Sequence, residues 1–200
     1  MSEMTDYNTD ISIKNALDMI NLGELEKGTE LLYEISQKGC LMATRKLVEV
    51  YVGGDKVPLS DEEIVSWLLS QADSNEIWII RLLGIMYLNG KGVNKNIREA
   101  KMWFEMAAVQ GDSTSQFYLG WLYECEDGLY QSNKQATYWY LKAAKQDSIA
   151  AMKGLGRIFL SNMQYDEAIY WYEEAAKQQD ADAAYELGFI YFIDIYGKEN

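Results

Sequence analysis

The chain has 200 residues, is 48% hydrophobic and carries 31 acidic against 18 basic residues, a formal net charge of −13 with no histidine. That content suffices for a buried core, while the negative charge would repel nucleic acid and anionic lipid, whose binding usually needs a basic stripe. The missing histidine removes the commonest general base and metal ligand, and Cys40 and Cys125 are too few and too far apart for a disulfide framework or a structural zinc site.

Taken in chain order, residues 1–10 (MSEMTDYNTD) read as a flexible polar lead with no apolar signal segment behind it. Residues 11–39 keep the spacing of a helix pair but lack the tryptophan that marks the later units. From residue 40 onward two landmarks recur together. Trp67, Trp103 and Trp139 are 36 residues apart and Trp171 follows after 32; Leu47, Leu83, Leu119, Leu155 and Leu187 keep the same intervals. The short loop SNMQYDEA at 161–168 accounts for the change to 32. A period in the range of about 20–50 residues means stacked supersecondary units, none of which can bury its apolar face alone.

Each unit divides into two helices. Ile80, Leu83, Gly84 and Tyr87 follow helical spacing on the first, here called A, and Ala100, Trp103, Phe104 and Ala107 do so on the second, B. Ser60, Asn96 and Ser132 precede the B helices and are followed three residues later by Glu63, Glu99 and Gln135, the spacing of a capping box. B helices are therefore expected to start near 61, 97 and 133, with Pro58 in the loop before the first of these caps. The tryptophans are expected in the core, with Gly84, Gly120, Gly156 and Gly188 admitting close helix approach. The expected fold is all-α, with ten or eleven helices in about five repeats plus a terminal A helix.

Catalytic signals are absent. NGKGVN at 89–94 lacks the GK[ST] ending and preceding strand of a phosphate loop, so Gly90 and Gly92 are read as turn residues. Glu62–Glu63 and Glu173–Glu174 are helix neighbours that diverge by about 100° instead of facing one another across a cleft. No catalytic residue, metal site or cofactor is expected.

The stretch LLGIMYLNGKGVNKNIREAKMWFEMAAVQG at 82–111 resembles the Sel-one-like repeat, a relative of the tetratricopeptide repeat. LGWLY with WYLKAAKQ, and LGRIF with WYEEAAKQ, match it in part. The resemblance covers residues 40–198, expected as one continuous domain behind a degenerate repeat at 11–39. It implies a right-handed α-solenoid of antiparallel helix pairs that binds other proteins and has no chemistry of its own.

With A helices on the concave side, as the resemblance implies, positions two before and two after each motif leucine should face a groove. The first series reads Arg45, Arg81, Phe117, Lys153 and Tyr185; the second reads Glu49, Ile85, Trp121, Arg157 and Phe189, with Trp78 beside them. Such a wall suits an extended or helical partner segment that carries acidic and apolar side chains and is gripped by aromatic and Arg anchors. The expected function is thus a non-enzymatic, cytoplasmic interaction module or adaptor with a protein partner of basic overall charge. The alternative is an acidic immunity or inhibitor protein that blocks a basic toxin such as a nuclease through its outer surface. At the C-terminal end LGFIYFIDIYGKEN offers Phe189, Phe192, Ile193, Ile195 and Tyr196 as an apolar assembly patch, through which a homodimer could form.

Overall fold

The computed structural model describes residues 7–125 and 132–196, and these form eleven α-helices and no strand. The helices are α1 (Tyr7–Asn21), α2 (Leu25–Gln37), α3 (Leu41–Val52), α4 (Asp61–Gln71), α5 (Ile77–Asn89) and α6 (Ile97–Val109). They continue with α7 (Ser113–Glu124), α8 (Asn133–Ala144), α9 (Ile149–Ser161), α10 (Tyr165–Lys177) and α11 (Ala181–Tyr196). The B helices α4, α6 and α8 begin at Asp61, Ile97 and Asn133, where the cap residues place them. The caps differ in completeness. Ser60 and Glu63 close the box in both directions, whereas Asn96 accepts the Arg98 and Glu99 amides and Ser132 accepts the Gln135 amide without a return bond. α1 starts at Tyr7, within the stretch read as a polar lead, and residues 1–6 lie outside the described residues.

Two compact units are present: Met1–Asp73 with Gly90–Asn94, and Ser74–Asn89 with Lys95–Asn200. In the first, α1 packs on α2 and α2 on α3 around Ile13, Ala16, Leu32, Ile35, Ala43 and Leu47. The loop residue Gly92 has φ +66°, and a Cβ there would lie 2.2 Å from the Asp61 carbonyl oxygen, so both the backbone angle and the space require glycine.

In the second unit each of α5 to α11 packs on the next, and α7 also touches α5 and α9, so the A helices form a layer backed by B helices. Leu83, Leu119 and Leu155 of the motif ladder are fully buried. The tryptophans pack between helices as expected, Trp139 and Trp171 against the buried core, but they are not its enclosed rings. Trp103, Trp139 and Trp171 are half-buried, and the fully enclosed ring is the residue after each: Phe104, Tyr140 and Tyr172. These rings lie against the A-helix glycines. A Cβ on Gly84 would sit 2.6 Å from Phe104, one on Gly120 2.4 Å from Tyr140 and one on Gly156 2.7 Å from Tyr172. Gly154 closes on the other side of Tyr140 at 2.7 Å, so that ring is held between α7 and α9. Gly188 is the exception, with no heavy atom of the described residues within 4 Å of such a Cβ. Its helix, α11, has no following B helix among the described residues to supply a ring.

Candidate functional site: the A-helix face

The cations of the expected groove wall are engaged by the chain's own acids. On α5, Arg81 Nη1 donates to Asp112 Oδ1 at 2.6 Å, while Asp112 Oδ2 accepts the Ser115 amide at 2.8 Å and so caps α7. Lys153 of α9 repeats the device. Its Nζ donates to Asp180 Oδ2 at 3.1 Å, and Asp180 Oδ1 accepts the Ala183 amide at 2.8 Å at the start of α11. That amide, with Lys153 adding to it against a burial penalty, holds the Asp180 carboxyl below its usual range. Each pair therefore ties one A helix to the cap of the next. The middle repeat omits it: Phe117 stands in the cation's place and Ser148 in the acid's.

Further along the face, Arg157 of α9 grips Glu124 at the end of α7 with both arms, Nε to Oε1 at 3.0 Å and Nη2 to Oε2 at 2.8 Å. The Tyr140 hydroxyl donates to the same carboxylate at 2.5 Å. Burial, followed by that carboxylate, pushes the Tyr140 phenol well above its ordinary range. Burial pulls the Arg157 guanidinium down, but Glu124 more than offsets it and the net shift is upward.

Two clefts open between these elements. One, of about 590 Å³, lies between α7 and α9 and is lined by Phe117, Trp121, Glu124, Cys125, Lys153 and Arg157 along with Ala150. The other, of about 290 Å³, lies between α9 and α11 and is lined by Lys153, Arg157, Tyr172, Asp182, Tyr185 and Glu186. Trp121 is 38% exposed beside the first cleft and Tyr185 75% beside the second. Burial and then the Glu186 charge push Tyr172, at the floor of the second cleft, up to about 12.

Of the eleven expected groove residues, the two clefts thus bring together Phe117, Trp121, Lys153, Arg157 and Tyr185, and Phe189 lies further along α11. Trp78, Arg81 and Ile85 lie on α5 outside them: Trp78 Nε1 donates to Glu76 at 2.6 Å, and Ile85 packs half-buried against the core of Phe104 and Leu119. Arg45 and Glu49 belong to the other unit, where they pair with each other along α3 at 3.1 Å. Glu124, Asp182 and Glu186 were not anticipated. The signal for Asp112 and Asp180 was their place just ahead of each A helix, a capping position.

On α11, Phe189 is 49% and Phe192 58% exposed, whereas Ile190 turns into the core. The side chains of Ile193, Ile195 and Tyr196 lie outside the described residues. Among the described residues no helix is long and apolar enough to cross a membrane, and no group of three or more Cys, Asp or Glu side chains could hold a metal ion.

The family model described as the Sel1 repeat matches residues 80–112, 113–148, 150–180 and 181–199, together more than half of the chain. The chain belongs to the Sel1-repeat family. The first three matches each span one A/B pair, α5–α6, α7–α8 and α9–α10, and the fourth spans α11. A Sel1 repeat protein from Oxalobacter formigenes shares the fold with a TM-score of 0.71 at 24% identity, over 96% of this chain and 81% of that one. The fold is accordingly all-α, of the α-solenoid class. Two curated relatives are similar in sequence. The ERAD-associated E3 ubiquitin-protein ligase component HRD3B of Arabidopsis thaliana is 30% identical over 58% of this chain and 18% of its own length. Chitin synthase regulatory factor 3 of Schizosaccharomyces pombe is 28% identical over 66% of this chain and 13% of its own. The chain thus spans less than a fifth of the length of either of these relatives, 18% and 13%.

Proposed function

We propose that this Sel1-repeat chain is a non-enzymatic interaction module that holds a segment of a protein partner against the A-helix face of α7, α9 and α11. Relatives named as a ligase component and as a regulatory factor support a role exercised through other proteins. The observation that carries the reading is Trp121. Its 38% exposed side chain borders a cleft of about 590 Å³ with Phe117, at the one repeat of the second unit where neither the cation nor the acid of the A-helix tie is present. A partly exposed tryptophan over a cleft with fixed walls is the usual form of an interface anchor. The exposed Tyr185, Phe189 and Phe192 extend the same chemistry along α11, the surface through which a homodimer would form.

The test is photo-crosslinking in cells that produce the protein, with a photoreactive amino acid replacing either Trp121 on α7 or Met102, which is 58% exposed on α6. A discrete adduct at position 121 and none at 102 supports the A-helix face. The reverse pattern refutes it and favours binding through the acidic outer surface, as an inhibitor of a basic toxin would bind.

A further inference from the structure

We infer that the segment held on the A-helix face carries an arginine about three residues along from an apolar side chain, the arginine entering the cleft between α9 and α11. This inference rests on the A-helix-face reading and gives the partner its chemistry.

Ion-pair bookkeeping on the wall decides the sign of that charge. Arg81, Lys153 and Arg157 would attract an acidic ligand, but each already holds a carboxylate at 2.6–3.1 Å. An incoming acid would therefore have to displace an intact pair. The second cleft is lined by Asp182 and Glu186 against Lys153 and Arg157, and both bases are already paired with acids outside that lining, Asp180 and Glu124. Lys153 is shared between Asp180 and Asp182, and the Asp182 side chain remains 83% exposed. Glu186 has no ion-pair partner among the described residues and lines this cleft. The surplus at this point is negative, in line with the −13 of the whole chain, which would also speed the approach of a basic segment.

Geometry favours a guanidinium. Asp182, Tyr185 and Glu186 are spaced i, i+3 and i+4 on α11 and so share one face of that helix. Tyr185 is 75% exposed and offers a ring beside two carboxylates. A planar guanidinium can stack on such a ring while its fork donates to the acids, which a compact ammonium does less well. The neighbouring cleft presents Trp121 and Phe117, surfaces for an apolar side chain. With the two clefts set roughly one helix spacing, about 10 Å, apart on either side of α9, and an extended strand advancing about 3.3 Å per residue, side chains in the two clefts would come from positions about three residues apart.

Fluorescence anisotropy with short capped Ser/Gly peptides tests this directly. One set carries Leu, Phe, Trp or Met and, three positions on, Arg; the matched set carries Glu instead of that Arg. The best Arg peptide is expected to bind about tenfold more tightly than its Glu counterpart at low salt, with the gap shrinking as salt rises. The double substitution Asp182→Asn with Glu186→Gln should abolish the preference, leaving the Lys153–Asp180 tie intact. Trp121→Ala should weaken both sets. Equal or tighter binding of the Glu peptides, still lost in Trp121→Ala, overturns the inference and leaves the A-helix-face reading standing. If no peptide of either set binds, or Trp121→Ala changes nothing, both fall.

Discussion

Gly120→Ala and Gly188→Ala are the same chemical change at equivalent positions of two A helices, and their effects should have opposite signs. At position 120 the added methyl would sit 2.4 Å from Tyr140 Cδ1 and 2.6 Å from Cε1. The ring cannot back away, because Gly154 lies against its opposite edge and its hydroxyl is held by Glu124. Overpacking of this kind costs about 1–3 kcal/mol, and a ring fixed on both sides belongs at or above the upper end. The alanine recovers about 1 kcal/mol of helix propensity. The net loss is then about 2 kcal/mol, a fall of about 4–8 °C in Tm for a chain of this size. At position 188 nothing among the described residues lies within 4 Å, so only the propensity term acts and Tm should rise by about 2–4 °C. Calorimetric melts of the two variants beside the parent decide the matter. Shifts of the same sign, or a stabilised Gly120→Ala, would refute the ring-on-glycine packing of the second unit.

Phe104→Ala should cost about 3–5 kcal/mol in urea denaturation and exceed Trp103→Ala, since Phe104 is fully buried and Trp103 only half so; an equal or larger loss at Trp103 would restore the tryptophan as the core ring. Asp112→Ala removes a helix cap and the Arg81 partner together, and should destabilise by about 2 kcal/mol, against about 1 kcal/mol for Arg81→Ala, which leaves the cap in place. Tyr51 and Tyr172 are both raised to about 12, in each case first by burial and then by a neighbouring carboxylate, Asp61 for Tyr51 and Glu186 for Tyr172. A raised phenol contributes stability that is fully present below the unfolded value near 10 and is lost as pH climbs through the folded one, so the urea midpoint should hold up to about pH 10 and fall between about 10 and 12.

The helical framework was legible in the sequence because its determinants are local or periodic. Ser60, Asn96 and Ser132 act on amides two or three residues away, and the leucine ladder repeats a burial pattern that stacking imposes on each unit. Periodicity could not say which of two adjacent aromatics faces inward, because Trp103 and Phe104 share the same 36-residue interval with Trp139 and Tyr140. The choice is made by the glycine on the facing helix, which admits one ring at close range. The pairing of the wall cations was hidden for a different reason. Arg81 and Asp112 are 31 residues apart, Lys153 and Asp180 27, and Arg157 and Glu124 33, separations that become contacts only when neighbouring repeats stack. Those ties turn a wall that reads as cationic in sequence into one with surplus carboxylate.

Hydroxyl-radical footprinting of the chain, alone and with the partner retrieved by crosslinking, reads the solvent access of aromatic and sulfur side chains and tests the binding face most directly. Trp121 and Tyr185 should lose reactivity in the complex while Met102 on α6, Tyr138 on α8 and Tyr170 on α10, all exposed in the free chain, keep theirs. Protection of Met102, Tyr138 and Tyr170 with Trp121 and Tyr185 unchanged would contradict binding on the A-helix face.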